Sequence, residues 1–182
     1  MRLILNLGKW RWLFESSLVK KATHWTTGTL NRTENGEYVF YADYDLMKKE
    51  YIHGELKHLQ HIYDLGNIHI FESSPKSFHA ISFVKLTAKE YIEILMNSSC
   101  CQAFLNVPRF SSYRNWVLRH FSKGSKDAPK YLYTIKSTTN RKQSLAHYNF
   151  LKTLYPVIEK NQLINSDGLT KLDVIDYPTA KA

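Results

Sequence analysis

Two aspartates end an otherwise apolar stretch of the sequence, YVFYADYD at residues 38–45. Its aromatic and β-branched residues predict a strand, and the two-residue period of a strand places Asp43 and Asp45 on one face. Two neighbouring carboxylates repel each other and lose hydration, so the pair needs a partner. Mg²⁺ or Mn²⁺ suits it, because both ions bind one or two carboxylates together with phosphate oxygens of a substrate. The alternative is that Asp45 caps a helix that follows it.

A second set of polar residues lies in SPKSFHAISF, residues 74–83. Lys76, Ser77 and His79 place a cation, a hydroxyl and an imidazole where an apolar strand begins. Such a set can hold a triphosphate through one point charge and two hydrogen-bond donors. The alternative is a histidine whose hydrogen bonds are satisfied locally.

The segment from residue 106 to residue 123 mixes basic and aromatic side chains. Basic groups neutralise phosphate and aromatic faces stack on bases, so this mixture favours a nucleotide or a single-strand groove. The alternative is a solvated, basic edge strand. The candidate residues of this segment are Asn106, Arg109, Tyr113, Arg114, Arg119 and Lys123.

The composition favours a basic protein that folds as one domain. The chain has 182 residues, of which 43% are hydrophobic, and we expect a single domain over 1–182. A formal charge of +9 favours polyanionic partners. The N-terminal apolar run is short and ends at Lys9, so we predict an intracellular protein with no membrane partner. Cys100 and Cys101 are neighbours, a poor geometry for a disulfide, and we interpret them as reduced and structural.

Hydrophobic periodicity and turn residues predict an α+β protein with a mixed or antiparallel sheet and flanking helices. Thr87 and Glu90 fit a capping box at the start of a helix, and Pro156 should kink or end the C-terminal helical segment. Residues 1–30 show no clean period. The predicted strands are 38–45, 67–73, 77–86, 103–110, 115–121 and 130–135, and the predicted helices are 46–64, 87–99 and about 141–160.

The order of these three groups of residues resembles the archaeo-eukaryotic primase superfamily. That family has a strand ending in Asp-x-Asp or Asp-x-Glu, then Ser-x-His on a later strand, then an acid followed by a strand with Arg and Lys. The resemblance covers about residues 38–135 and implies the catalytic core of a small primase-polymerase with an RRM-like palm. It implies that Asp43 and Asp45 bind catalytic Mg²⁺ or Mn²⁺. The nucleotide-binding residues that it implies are Lys76, Ser77, His79, Arg119 and Lys123.

The sequence departs from the family pattern at the third acid, where the spacing points to Asn106. We therefore predict Asp43, Asp45, His79 and Asn106 as the catalytic residues, with Asn106 as a weak third metal ligand. An amide oxygen can coordinate a cation, but it removes one negative charge from the site. Three explanations stay open: an attenuated enzyme, a binder that kept the fold, or a substitution made to trap a complex. Gln102 and Asp127 are less favoured positions for the third acid.

The function that the resemblance implies is template-dependent nucleotide transfer by a DNA primase or polymerase. Its expected partners are a single-stranded DNA template, a primer, nucleoside triphosphates, and a helicase or other replication proteins. Arg109, Tyr113 and Arg114 are the predicted nucleic-acid contacts. The alternative is a non-catalytic protein that binds single strands or nucleotides on the same fold.

Overall fold

A computed structural model describes the backbone of most of the chain. The described residues are 2–7, 10–15, 28–33, 35–110, 115–161 and 172–173, with side chains described within 28–33, 35–107 and 115–159.

Strands and helices alternate along the described chain, with ten strands and five helices in those ranges. They are β1 (Arg2–Leu7), β2 (Trp10–Glu15), β3 (Gly28–Leu30), β4 (Tyr38–Tyr44), α1 (Lys49–Tyr63), β5 (Ile68–Ser74), β6 (Ser77–Leu86), α2 (Ala88–Met96), α3 (Gln102–Phe110), β7 (Val117–Arg119), β8 (Lys130–Ile135), β9 (Gln143–Ser144), α4 (Leu145–Leu154), α5 (Val157–Asn161) and β10 (Leu172–Asp173).

The central sheet has the strand order β4-β6-β5-β8, and every neighbouring pair in it is antiparallel. β9 joins β6 through one pair of residues, and β10 runs parallel to β9. Two antiparallel pairs stand apart from this sheet, β1 with β2 and β3 with β7. The predicted α+β class with a mixed or antiparallel sheet is therefore confirmed.

Helices cover both faces of the central sheet. On one face, the Tyr44 hydroxyl of β4 donates to Glu55 of α1 at 3.0 Å. On the other face, the rings of Phe83 in β6 and Tyr148 in α4 meet edge to face at 5.7 Å. A strand buried on both faces has no need of polar alternation, which explains why β4 is apolar until it reaches Asp43.

Local signals in the sequence correctly predicted three features of the fold. The predicted capping box forms, since the Thr87 hydroxyl accepts the Glu90 N–H at 3.2 Å and Glu90 accepts the Thr87 N–H at 2.8 Å. Pro156 separates α4 from α5, as predicted. The predicted strands 67–73 and 77–86 are β5 and β6, which pair as a hairpin joined by Pro75 and Lys76.

The prediction of a strand over residues 103–110 is wrong, because these residues belong to helix α3. Phe104 is buried in the core, and the helix places Pro108 one turn later. Pro108 has no N–H to donate to the Phe104 carbonyl, and the Trp116 indole N–H donates to that oxygen at 3.0 Å instead. A side chain just before β7 therefore supplies the donor that the helix lacks, and local strand propensity could not reveal this contact.

Buried apolar side chains between Tyr38 and Ile158 form one core cluster. Within the described residues, no helix has both the length and the apolar character needed to cross a membrane.

Candidate functional site

The end of β4 opens into a cleft of about 760 Å³. Its walls come from β4 and the residue after it, the end of β5, β6, β3, β7 and the loop after β7. The lining residues are Gly28, Asp43, Asp45, Ser73, Ser74, His79, Val117, Leu118, Arg119, Lys123, Gly124, Ser125 and Lys126. The structure thus brings together five of the predicted site residues, namely Asp43, Asp45, His79, Arg119 and Lys123.

Asp43 and Asp45 lie at the mouth of this cleft, Asp43 half-buried and Asp45 exposed. The alternative role for Asp45 as a helix cap is wrong, because α1 begins at Lys49 and Lys48 precedes it without a side-chain cap bond. The Asp45 side chain therefore does not cap that helix.

The environment of Asp43 disfavours its negative charge. Burial raises the pKa of this carboxyl to about 6, and the charge of Asp45 adds to the rise. Lys126 and Arg119 lower the pKa, but by less than burial and Asp45 raise it. A divalent cation between the two carboxylates would remove the repulsion, so the pair fits the hard-oxygen chemistry of Mg²⁺ or Mn²⁺.

We expect the substitution Asp45→Asn to lower the pKa of Asp43 from about 6 towards 3.8, because it removes the neighbouring negative charge. Carboxyl ¹³C chemical shifts followed through a pH titration measure this change. Wild-type Mn²⁺ affinity should rise as the pH approaches 6 and then level off, because a proton on Asp43 competes with the cation. Asp127→Asn is the matched control. An unchanged pKa in Asp45→Asn would show that the two carboxylates do not interact.

His79 faces Asp43 across the β4–β6 pair, with Nε2 3.5 Å from the carboxylate oxygen. Burial and, to a smaller extent, the nearby His120 and Arg119 lower the pKa of His79 to about 3, so the ring is neutral at pH 7. Its Nδ1 is buried and has no hydrogen-bond partner among the described residues. His79 therefore acts in the cleft as a neutral imidazole and does not form an ion pair with Asp43.

A buried hydrogen-bond chain supports the wall behind His79. The Thr29 hydroxyl bonds the Tyr41 hydroxyl at 2.9 Å and His120 Nε2 at 2.7 Å. Burial lowers the pKa of His120 to about 4, so this ring is also neutral at pH 7. The chain connects β3, β4 and the end of β7, and it fixes the strands from which the cleft residues project.

Lys76 and Ser77 do not line the cleft. Lys76 is exposed in the β5–β6 turn, and Ser77 is buried at the start of β6. Lys76 has a φ of 61° and Leu46, directly after Asp45, has a φ of 58°. Both values lie in the left-handed region, which residues other than glycine rarely adopt. The Met47 N–H donates to the Lys76 carbonyl at 2.9 Å, so the two strained turns are bonded to each other beside the aspartates.

Arg119 lies in the cleft, but main-chain oxygens hold its guanidinium. Nη1 donates to the carbonyls of Phe121 and Asp127, and Nη2 donates to the Ser73 carbonyl at 2.5 Å. The direct binding of phosphate that the sequence predicted for Arg119 stays a prediction. The contacts that the structure gives this residue instead connect the loop after β7 to the end of β5.

Asn106 is part-buried on α3 and is not among the cleft-lining residues, so the structure does not bring it to the two aspartates. The residue beside Asp45 is Cys101, which directly precedes α3. Its N–H donates to the Asp43 carbonyl at 2.7 Å. Partial burial raises the pKa of its thiol, and a hydrogen bond with Asp45 raises it as well. The role of Asn106 as a metal ligand stays a prediction.

Within the described part of the chain, no group of three or more His, Cys, Asp and Glu side chains is arranged to hold a metal ion. A cation at Asp43 and Asp45 would therefore take its other ligands from water and substrate phosphate, as Mg²⁺ commonly does.

Lys126 and Gly28 are among the cleft residues that sequence reasoning missed. Lys126 follows a Gly–Ser pair in KGSK, which is a signal for a tight two-residue turn and would have placed it opposite Lys123. Gly28 pairs with Arg119, and a Cβ there would collide with the Leu118 carbonyl oxygen. This close approach depends on pairing between distant segments, so no local signal marks it.

Of the predicted nucleic-acid contacts, Tyr113 and Arg114 lie outside the described residues, as does the side chain of Arg109. Comparisons with protein families, with curated proteins and with solved structures find no match for this chain. The chemistry of the cleft therefore carries the functional argument. It places two carboxylates, a neutral imidazole and three cationic side chains around one opening, an arrangement that can bind a metal–phosphate complex.

Proposed function

We propose that the chain is a template-dependent nucleotidyltransferase, a DNA primase or polymerase that uses nucleoside triphosphates and Mg²⁺ or Mn²⁺. The observation that carries this proposal is the meeting of Asp43, Asp45 and His79 with Arg119 and the lysines in one cleft. The fold is compatible with an RRM-like palm, because β4, α1, β5, β6 and α2 follow in order and β7 packs beside β4. The proposed partners are a single-stranded DNA template, a primer and intracellular replication proteins such as a helicase.

In the proposed reaction, Asp43 and Asp45 would hold the cation, and lysines of the cleft would bind the triphosphate. When bound, Mg²⁺ or Mn²⁺ supplies activation of the attacking 3′-hydroxyl and neutralises charge on the α-phosphate and the departing pyrophosphate. The neutral ring of His79, whose Nε2 lies 3.5 Å from the Asp43 carboxylate, would orient that carboxylate. Most of the rate enhancement would then come from positioning and electrostatics.

A second candidate function is non-catalytic binding of nucleotides or single strands. It is favoured by one observation. Asp43 and Asp45 are the only carboxylates among the described residues that line the cleft, and Asn106, the predicted third metal ligand, does not line it. This protein would bind single-stranded DNA in a strongly salt-dependent way but would incorporate no nucleotide with either metal.

Primer synthesis and primer extension on single-stranded DNA, with Mg²⁺ or Mn²⁺, test the proposal. Incorporation that needs metal supports it, whereas DNA binding without incorporation under any metal supports the second candidate.

Two variants run in the same assay separate the possible third ligand positions. We expect Cys101→Asp to tighten Mn²⁺ binding about tenfold, since it adds a carboxylate beside Asp45 and each 1.4 kcal/mol of attraction is tenfold. Aspartate is also favoured directly before a helix, so this variant should fold. Asn106→Asp is the matched control and should change metal binding little, because residue 106 does not line the cleft. A gain in Asn106→Asp alone would restore the sequence-based position of the third acid.

A further inference from the structure

Strand β8 lies at an edge of the central sheet and carries a bulge at Leu132. It pairs with β5 and has no second partner strand within the described ranges. Ile70 pairs with Tyr133 and Phe71 pairs with Tyr131, so Leu132 is an extra residue that has no partner in β5. A bulge of this kind changes the direction in which the following side chains project.

The bulge turns Tyr133 onto the face of the sheet that α1 covers. In a regular strand Tyr131 and Tyr133 would share a face, because side chains alternate. Here Tyr131 lies beside its partner Phe71, with the ring centres 5.7 Å apart. Tyr133 lies on the opposite face, and its ring centre is 5.6 Å from that of His53 in α1.

Tyr133 forms the floor of a pocket of about 360 Å³ between α1 and β8. This volume falls within the range of about 300–1,000 Å³ that is typical of ligand sites. The Tyr133 hydroxyl lies 3.3 Å from His53 Nδ1, and the Lys49 ammonium lies 5.1 Å from the centre of the Tyr133 ring. Burial raises the pKa of Tyr133 and the charge of Glu50 adds to the rise, so the phenol is neutral at pH 7.

The pocket residues contribute little to the packing that holds α1 on the sheet. That packing comes from the buried residues Ile52, Leu56 and Leu59, whereas Lys49 and His53 are exposed. A fixed aromatic ring beside an exposed lysine suits a base of a single-stranded nucleic acid, because the ring can stack on the base and the ammonium can bind a backbone phosphate.

Lys130, the first residue of β8, projects to the same face as Tyr133. It pairs with Glu72, which lies two residues after Ile70 in β5 and therefore on the same face. Three residues of a strand span about 10 Å, so Lys130 and Tyr133 are close enough to contact neighbouring parts of one extended ligand. Neither Lys130 nor Lys49 forms an ion pair with any part of the chain that the structure describes.

A smaller pocket of about 320 Å³ connects Lys130 to the cleft. Lys130 lines this pocket but not the cleft. The residues that line both cavities are Ser73, Ser74, Ser125 and Lys126. A strand that passes from the cleft through the smaller pocket would therefore reach Lys130 first and Tyr133 next.

We propose that the pocket between α1 and β8 is a stacking site for one base of a single-stranded nucleic acid that occupies the cleft. Tyr133 supplies the stacking surface, and Lys49 and Lys130 bind backbone phosphates beside that base. The identification of the ligand as a nucleic-acid strand rests on the proposed function, in which single-stranded DNA is a partner.

Fluorescence anisotropy of a labelled oligothymidylate, without metal or nucleoside triphosphate, tests the site. Tyr133→Leu should weaken binding about tenfold, a typical loss for one base stack, whereas Tyr133→Phe keeps the ring and should bind as the wild type does. Lys49→Ala and Lys130→Ala should each weaken binding and reduce the slope of log affinity against log salt by about 0.7.

Lys152→Ala is the matched control for charge. The Lys152 ammonium also lies near a tyrosine ring, 5.9 Å from the centre of Tyr148, but it belongs to α4 on the opposite face of the sheet. Its removal should leave oligothymidylate binding nearly unchanged. Because Tyr133 is half-buried, thermal unfolding of every variant checks that the fold is intact.

Tyr133→Trp gives a direct signal of stacking that a purely structural residue would not produce. Its indole fluorescence should be quenched as oligothymidylate is added, by more than the fluorescence of the wild type. This variant decides the question if Tyr133→Leu does not fold. Thymidine monophosphate, added instead of the oligonucleotide, should cause little quenching at the same concentration.

Each of four results would overturn the site. The first is wild-type affinity in a folded Tyr133→Leu variant, and the second is the absence of added quenching in Tyr133→Trp. The third is an equal loss of affinity in Lys152→Ala and Lys49→Ala, which would show a diffuse charge effect. The fourth is equal quenching by thymidine monophosphate, which would assign the pocket to a free nucleotide.

The binding assay is independent of catalysis, so the two proposals fail separately. Strand binding that depends on Tyr133, with no incorporation under any metal, keeps the stacking site and overturns the transferase. Incorporation by the wild type, together with unchanged strand affinity in Tyr133→Leu, keeps the transferase and overturns the stacking site.

Discussion

Asp43→Asn should abolish nucleotide incorporation and at the same time make the fold more stable at pH 7. The loss of activity should reach about 1,000-fold or more, because a catalytic cation is worth several kcal/mol of transition-state stabilisation. The gain in stability follows from the raised pKa. Since the folded value of about 6 exceeds the ordinary 3.8, the carboxyl favours folding when it is protonated, and this contribution is lost as the pH rises through 6.

The asparagine variant carries no charge to bury, so its free energy of unfolding without metal should exceed that of the wild type by about 1–2 kcal/mol at pH 7. The difference should disappear well below pH 3.8, where the wild-type carboxyl is protonated in both states. Urea unfolding at several pH values, with primer extension in parallel, measures both effects. Asp127→Asn, outside the cleft, should change neither. Normal incorporation by Asp43→Asn would sink the metal-site assignment, and a loss of stability would show that the ionised carboxylate has a structural partner.

Trp116→Ala should destabilise the fold by about 3–5 kcal/mol, the usual loss for a large aromatic side chain in a core. Trp116 is 5% exposed and meets the rings of Tyr91 and Tyr38 edge to face at 4.8 and 5.9 Å. The same side chain donates its indole N–H to the Phe104 carbonyl, which Pro108 leaves without a helical donor. The side chain therefore joins the residue before β7 to α3, α2 and β4, and urea unfolding measures how much these contacts contribute to stability.

A double-mutant cycle isolates the indole hydrogen bond from the packing. Trp116→Phe keeps an aromatic ring but leaves the Phe104 carbonyl without its donor, which costs about 1–3 kcal/mol. Pro108→Ala supplies a backbone N–H one turn along α3, so it should restore part of the stability that Trp116→Phe loses. Strictly additive losses in the double variant would show that the two donors do not compete for this oxygen.

The parts of the fold that could be predicted from the sequence are those determined by residues close together in the chain. The strand ending at two aspartates, the capping box of Thr87 and Glu90, and the break at Pro156 each depend on residues within a few positions of one another. For that reason the position of the candidate carboxylates and of His79 could be predicted without a structure.

The rest depends on contacts between distant segments. The helical state of residues 102–110 is supported by an indole that lies beyond it in the chain, and its apolar composition alone favoured a strand. Arg119 was expected to bind phosphate, since nothing in its neighbourhood in the sequence shows that three main-chain oxygens surround it. Cys101 becomes a neighbour of Asp45 only because the turn after α2 returns to the end of β4. Lys126 was missed although its tight turn is visible in the sequence.

The pairing of β3 with β7 joins Gly28 to Arg119, segments about ninety residues apart, and it forms one wall of the cleft. A contact between segments so distant requires closure of a long loop, whereas β5 and β6 are joined by a two-residue turn. We therefore expect the β5–β6 hairpin to form early in folding and the cleft wall to form late. In the folded protein, the three-residue β3–β7 pair should also open more readily than the central sheet, and its amides should exchange with solvent first. The site would then exist only once the chain has finished folding, and it would be the first region lost in partial unfolding.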